Sequence, residues 1–145
     1  MGEAFSAQHR SPFSPVEFKD LEAEIRFDIL VPNETYEIAG FRVNAMEQCH
    51  PGKSYGYRFE RNEKAVVFST DSEHECEGDE ESLDPFVAFF KKADLLIFDA
   101  QYSFSEACTI KEDWGHSSNL IGVDLAKRAR VKHLCLFHQE TASSD

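Results

Sequence analysis

The stretch Leu83–Ala100, "LDPFVAFFKKADLLIFDA", changes its period midway, and that change decides the fold class. Phe86, Phe89 and Phe90 recur at helical spacing behind Asp84–Pro85, a cap followed by a proline whose missing N–H costs nothing at a first helical position. "DLLIFDA" then runs apolar without alternation, the pattern of a strand buried on both faces. Upstream, strands dominate. "EIRFDIL" (24–30) alternates, with Ile25, Phe27 and Ile29 on one face. "TYEIAGFRVNAME" (35–47) reads as two strands turning at Gly40, and "SYGYRFE" should pair with "AVVFST" across the polar turn "RNEK". Downstream, "SSNLIGVDLAKRARV" puts Ile121, Leu125 and Ala129 on one helical stripe, with Lys127, Arg128 and Arg130 where a helix dipole favours cations. "HLCLFH" closes the pattern as a last strand.

Strands first, then strand–helix units, predict an α/β (α+β) body: a mixed sheet with helices on one face. Residues 1–24, mixed and Ser/Pro-containing, read as an extended lead-in, and 25–145 as the domain. A sheet with helices on one face leaves the other in need of a partner, so a portion of a larger fold is expected.

The chain has 145 residues, 41% of them hydrophobic, ordinary for a folded domain. Its net charge of −12 argues against a general binder of phosphate backbones. Glu73, Glu75, Glu77, Asp79, Glu80, Glu81 and Asp84 crowd one segment, which reads as a solvated, self-repelling loop. No apolar run reaches membrane-spanning length and no signal peptide is visible, so a cytoplasmic location is expected, with no membrane partner. Cys49, Cys76, Cys108 and Cys135 lack Cys-x-x-Cys spacing, and reduced thiols follow from that reading.

Polar residues end the predicted strands. His50 follows "FRVNAMEQC", Asp71 follows "VVFST", Asp99 ends "LLIFD" and His138 closes "HLCLF", while His116 sits in "WGHSSN" at a helix start. Carboxyl ends of strands in open α/β sheets are where ligands bind. Imidazole with carboxylate suits zinc, manganese or iron. Taken singly, each of these residues also fits a turn or cap. Trp114 could stack on a base, although a lone tryptophan more often packs. Cys49 could be a soft ligand, although free cysteine usually behaves as a small buried hydrophobe.

The order "H-PGKSYGYRFE", "VVFSTDSEH", "ADLLIFDAQYS", "WGHSS", "HLCLFHQE" resembles the second half of the metallo-β-lactamase superfamily, closest to its phosphodiesterase and ribonuclease Z-like branch. The resemblance implies half of an αββα sandwich and a divalent metal, zinc first, held by His50, Asp71 and His138. It makes His116 the catalytic proton donor or charge stabiliser near the scissile phosphate. Asp99 and His74 are then candidates to orient a ligand imidazole, and the acidic surroundings of His74 favour a plain polar loop residue. The family's His-x-His-x-Asp-His cluster is missing from this sequence. A metal-dependent hydrolase of phosphoric diesters, weak or inactive as this chain alone, is therefore expected. A small phosphoester is favoured over nucleic acid, because the acids after Asp71 repel a polyanion. A complementing subunit or homo-oligomer would supply what is lacking. The alternatives are a non-catalytic binding or assembly module derived from the fold, and a redox di-iron protein.

Overall fold

The computed structural model describes residues 2–74, 80–111 and 113–140, the side chains of residues 80–82 excepted. The chain divides into two units, Met1–Leu30 and Val31–Asp145. The second carries a six-stranded sheet in the order β1 to β6. β1 (Thr35–Ile38), β2 (Phe41–Gln48), β3 (Ser54–Arg61) and β4 (Lys64–Ser69) form an antiparallel meander. Both tight turns place two central residues at positive φ: Ala39 and Gly40 at 51° and 78°, Asn62 and Glu63 at 50° and 59°. That is the handedness a two-residue hairpin needs to match strand twist.

β5 (Leu95–Asp99) and β6 (Leu134–Phe137) then run parallel to β4. Parallel neighbours need crossovers, and helices supply them. α1 (Gly2–Gln8) lies in the first unit; α2 (Glu80–Phe90) joins β4 to β5, and α3 (Phe104–Ala107) with α4 (Asn119–Arg128) joins β5 to β6. The register sets the faces. Val67 pairs with Leu96, Ser69 with Phe98, Leu96 with Leu134 and Phe98 with Leu136, so these side chains share one face. They pack under Phe86 and Phe90 of α2 and Ile121, Leu125 and Ala126 of α4 in the main apolar cluster. The expected stripe Ile121, Leu125, Ala129 is buried along its length, and Ser118 caps α4 by accepting the Ile121 N–H. At the amino end of β5, Asp94 braces three strands. Its carboxylate accepts from Lys64 at 3.0 Å, Lys132 at 2.9 Å and the Ala65 N–H at 3.0 Å.

Several expectations are corrected. β5 is buried on one face only: Leu96 and Phe98 are inaccessible, whereas Leu95 and Ile97 are half-buried on the face they share with Val66 and Phe59, each 36% exposed. An unbroken apolar run cannot tell one covered face from two. α2 begins at Glu80, with Pro85 inside it rather than at its first position. The acidic segment was read as loop on charge alone, and its carboxyl end is helical; residues 75–79 lie outside the described ones. The lead-in is not extended, since α1 and a 3-10 turn at Phe18–Asp20 occupy it. "EIRFDIL" is not a strand: the Phe27 ring instead packs at a tilt against Phe5 and Phe18, and alternation makes no strand without a ladder to join. Cys108 is disulfide-bonded, contrary to the reduced-thiol reading, and Cys135 is a free thiol; missing Cys-x-x-Cys spacing does not prevent distant cysteines from pairing. Among the described residues, no helix is long and apolar enough to cross a membrane.

Gly122 sets how closely α4 approaches β5. A Cβ there would lie 2.7 Å from the Phe98 ring and 3.2 Å from Leu136. Helix propensity favours alanine over glycine by about 1 kcal/mol, but overpacking a ring that cannot move costs about 1–3 kcal/mol. Gly122→Ala is expected to destabilise the domain on balance, read as a lower urea midpoint with unchanged m-value.

Candidate metal centre

Three adjacent parallel strands end side by side, and each delivers one side chain. Asp71 lies just past β4, Asp99 ends β5, and His138 immediately follows β6. His116 arrives from the loop before α4, which is pinned to the exit of β5 by the Tyr102 N–H on Ser117 O and a bridge between Tyr102 and Ser118. One donor atom from each of Asp71, Asp99, His116 and His138 lies within 4.8 Å of the other three. His138 sits at φ 69°, a left-handed conformation uncommon outside glycine.

Asp99 is the buried centre of the group. Its Oδ2 accepts twice, from the Ser72 N–H at 3.2 Å and from His116 Nδ1 at 2.8 Å. Its Oδ1 accepts no hydrogen bond, although it is fully buried, with His138 Nδ1 3.4 Å away. Burial pushes the Asp99 carboxyl up, while His116 and the Ser72 N–H hold it down, and burial wins. An ionised Asp99 can only accept, so His116 then donates its Nδ1–H to Oδ2 and Nε2 is the ring nitrogen left for other contacts. Asp71 and His138 face each other at 3.5 Å and are both partly exposed. An acceptor-only oxygen buried without a partner, beside a second carboxylate and two imidazoles, fits a divalent cation.

The structure does not bring all the expected residues together. Asp71 and His138 stand in the four-residue group, together with Asp99 and His116, expected as an orienting and a catalytic residue. His50 stands outside it. Its ring meets that of His116 edge-on at 5.5 Å, and its Nδ1 accepts the Gly52 N–H at 3.2 Å. Ligation through either nitrogen of neutral His50 would cost that hydrogen bond. Cys49 is exposed rather than buried and is not one of the four.

His74 is not a solvated loop residue. It is 3% exposed, between the rings of Phe86 at 4.4 Å and Phe98 at 5.4 Å. Ser117 spends its hydroxyl proton on Ser72 O at 2.7 Å, so His74 Nδ1 must donate to Ser117 Oγ at 2.8 Å. It therefore contacts no ligand imidazole; it ties the backbone after Asp71 to the backbone after His116. Glu73, which sequence reading left among the solvated acids, joins three loops. Its N–H donates to Cys49 O at 2.8 Å, and its two carboxylate oxygens accept the N–H groups of Asp113 at 2.8 Å and Gly115 at 2.9 Å. Gly115 has φ +86°, and a Cβ there would lie 2.5 Å from His50 Cδ2, so this loop closes on His50 only through glycine. A carboxylate aimed at a distant loop leaves no periodic or spacing signal.

A mixed sheet with its donors gathered at the carboxyl ends of β4, β5 and β6 matches a known family. The family model for the β-lactamase superfamily domain covers residues 3–139, and the chain belongs to that family. The chain is 39% identical over 62 residues to ribonuclease Z of Pyrococcus furiosus, which is 43% of this chain and 19% of that protein. It is 27% identical over 107 residues to the probable metallo-hydrolase YhfI of Bacillus subtilis, 74% of this chain and 39% of that protein. The crystal structure of YhfI superposes with a TM-score of 0.67 at 23% identity, covering 79% of this chain and 42% of YhfI. Human tRNase Z, short form, superposes at 0.58 with 24% identity, covering 73% and 39%. These superpositions speak to the fold. The chain spans less than half the length of the relatives it matches.

Burial of the His74 ring disfavours its charged form and lowers its pKa to about 4. The unfolded chain takes up that proton near pH 6.5, so stability from this group is full above that pH. It is lost as pH falls from about 6.5 to 4, by roughly 3 kcal/mol in all. His74→Phe should flatten that part of the profile relative to wild type, measured as urea midpoints between about pH 7.5 and about pH 4.5; an unchanged slope would mean that His74 does not cause the loss.

Proposed function

We propose that this chain is the carboxyl-terminal portion of a metal-dependent hydrolase of phosphoric diesters, with Asp71, Asp99 and His138 holding the ion and His116 beside it. The observation that supports this most directly is the unpartnered, fully buried Asp99 Oδ1 at the meeting point of three strand ends. A divalent ion bound there, zinc before manganese or iron, would polarise a phosphoryl oxygen and lower the pKa of a water. The protein's own residues do the rest. Asp99 holds His116 in one tautomer and stabilises its imidazolium, so Nε2 can carry a proton to the leaving oxygen. Ser54 donates its hydroxyl to the Asp71 carbonyl and fixes the turn that presents Asp71. Phosphodiester chemistry comes from the likeness to the ribonuclease Z of Pyrococcus furiosus; the acidic surroundings favour a small phosphoester over a polynucleotide.

One ion is what these residues support. The His-x-His-x-Asp-His cluster is absent from the 145 residues, and a second ion requires ligands from elsewhere, such as a complementing subunit. The face bearing Phe59 and Val66 favours a second reading, an assembly module that covers this surface with another polypeptide. Light scattering with metal analysis separates the readings: a metal-binding monomer favours the hydrolase, a metal-free oligomer the assembly module, and a monodisperse monomer without bound metal argues against both.

Zinc titration by calorimetry should show one site per chain. Asp71→Asn and His138→Ala should each weaken it at least about tenfold, since even an outer partner of a ligand is worth that much. Bis(p-nitrophenyl) phosphate should be hydrolysed at close to the background rate by this chain alone; robust turnover would overturn the single-ion reading.

A further inference from the structure

Trp114 was expected to pack, and it does not: its side chain is 56% exposed. Its backbone is nevertheless held on both sides. The Glu73 carboxylate grips the N–H groups of Asp113 and Gly115, the residues flanking it. The ring is therefore projected outward from a fixed loop rather than left on a slack one. The ammonium of Lys111 stands 3.9 Å from the centroid of the Trp114 ring and 5.2 Å from that of Tyr102. Tyr102 is buried, and its ring meets that of His116 edge-on at 5.9 Å. A cation over an indole face is the favourable arrangement for that pair, and more than half of the Trp114 surface remains open to solvent beside it. Trp114 precedes His116 by two residues, so their Cα atoms are no more than about 7 Å apart.

The charges around the platform sharpen its preference. Burial, together with Glu140, Asp99, Glu106 and Glu73, pushes the Tyr102 hydroxyl up, which marks this rim as acidic. An anionic ligand approaching it needs a fixed cation, and Lys111 is placed to provide one. We infer that Trp114 and Lys111 form a ring-binding subsite, which takes the planar heteroaromatic group of a nucleoside phosphate while the phosphate lies toward His116. The inference rests on the phosphoester reading above and specifies the part of the substrate that reading leaves open. The indole supplies a stacking face, which every base can use, and Lys111 supplies charge to the ester it carries.

Trp114 is the single tryptophan of the chain, so its emission reports on this site alone. The probes are AMP, ribose 5-phosphate and adenosine, each titrated with and without zinc and followed by fluorescence and calorimetry. AMP should quench the emission saturably and bind about tenfold or more tightly than ribose 5-phosphate, the worth of one stacked base. Trp114→Ala should abolish that preference, Trp114→Phe should restore part of it, and Lys111→Gln should weaken AMP several-fold while leaving adenosine unchanged. Equal binding of AMP and ribose 5-phosphate, or emission unmoved at AMP saturation, overturns the subsite. Zinc binding with no AMP preference defeats the subsite and leaves the metal reading standing. AMP preference lost in Trp114→Ala, in a chain that takes no zinc, supports the subsite and defeats the metal reading.

Discussion

The carboxylate of Asp99 is the constraint around which the site is arranged. A charge taken out of water must be compensated on the spot, and the fold compensates only half of it. Oδ2 accepts a backbone N–H from the loop after β4 and an imidazole N–H from the loop before α4; Oδ1 accepts no hydrogen bond and has only His138 Nδ1 beside it, at 3.4 Å. Both donors come from segments far from Asp99 in sequence, so the loops can settle only where they meet it. Ser72, Glu73 and His74 then act as three consecutive ties: to Asp99, to the Trp114 loop, and to Ser117. Each of the three residues after Asp71 is thereby tied to a different neighbour.

This explains how much of the molecule could be read from its sequence. The meander and the parallel strands follow from period and turn chemistry, which are local, and the tight turns at Gly40 and Asn62–Glu63 fall where polar or glycine residues interrupt the strands. The helix over residues 119–128 was legible because its stripe and its serine cap lie within one short window. Asp71, His116 and His138 could be singled out because each sits at an element boundary within a segment that resembles the superfamily. What could not be read is whatever depends on a distant partner. Glu73 looks like any other member of an acidic run until Asp113 and Gly115 are brought to it. His74 looks exposed until Phe86 and Phe98 close around it. The segment 24–30 alternates correctly and still makes no strand, since a ladder needs a neighbour as well as a pattern.

The second face of the sheet bears on the same point. Register places Asp99 on the side of Ile97, Phe68 and Phe137, not on the helix-covered side of Phe98. The ring of Phe68 packs on that of Phe137 at 5.4 Å. The site therefore sits at the edge of the less covered face, where a polypeptide lying across Phe59 and Val66 would reach it.

The two ends of β5 show how environment sets the role of one residue type. Asp94 opens the strand and Asp99 closes it. Asp94 has a lysine on either side and the Ala65 N–H, which hold its carboxyl far below the usual range; every oxygen is spent on bracing β4, β5 and β6. Asp99 has no lysine. Its neighbours are imidazoles, which can be neutral, and burial pushes its carboxyl up. A fixed ammonium at that end would saturate the carboxylate and close the site to any cation. Two histidines leave the negative charge partly unanswered, and an unanswered buried charge is what gives a site affinity for a divalent ion. The strand that the apolar core holds in place thus carries a structural carboxylate at one end and an available one at the other, and the difference is made by lysine against histidine.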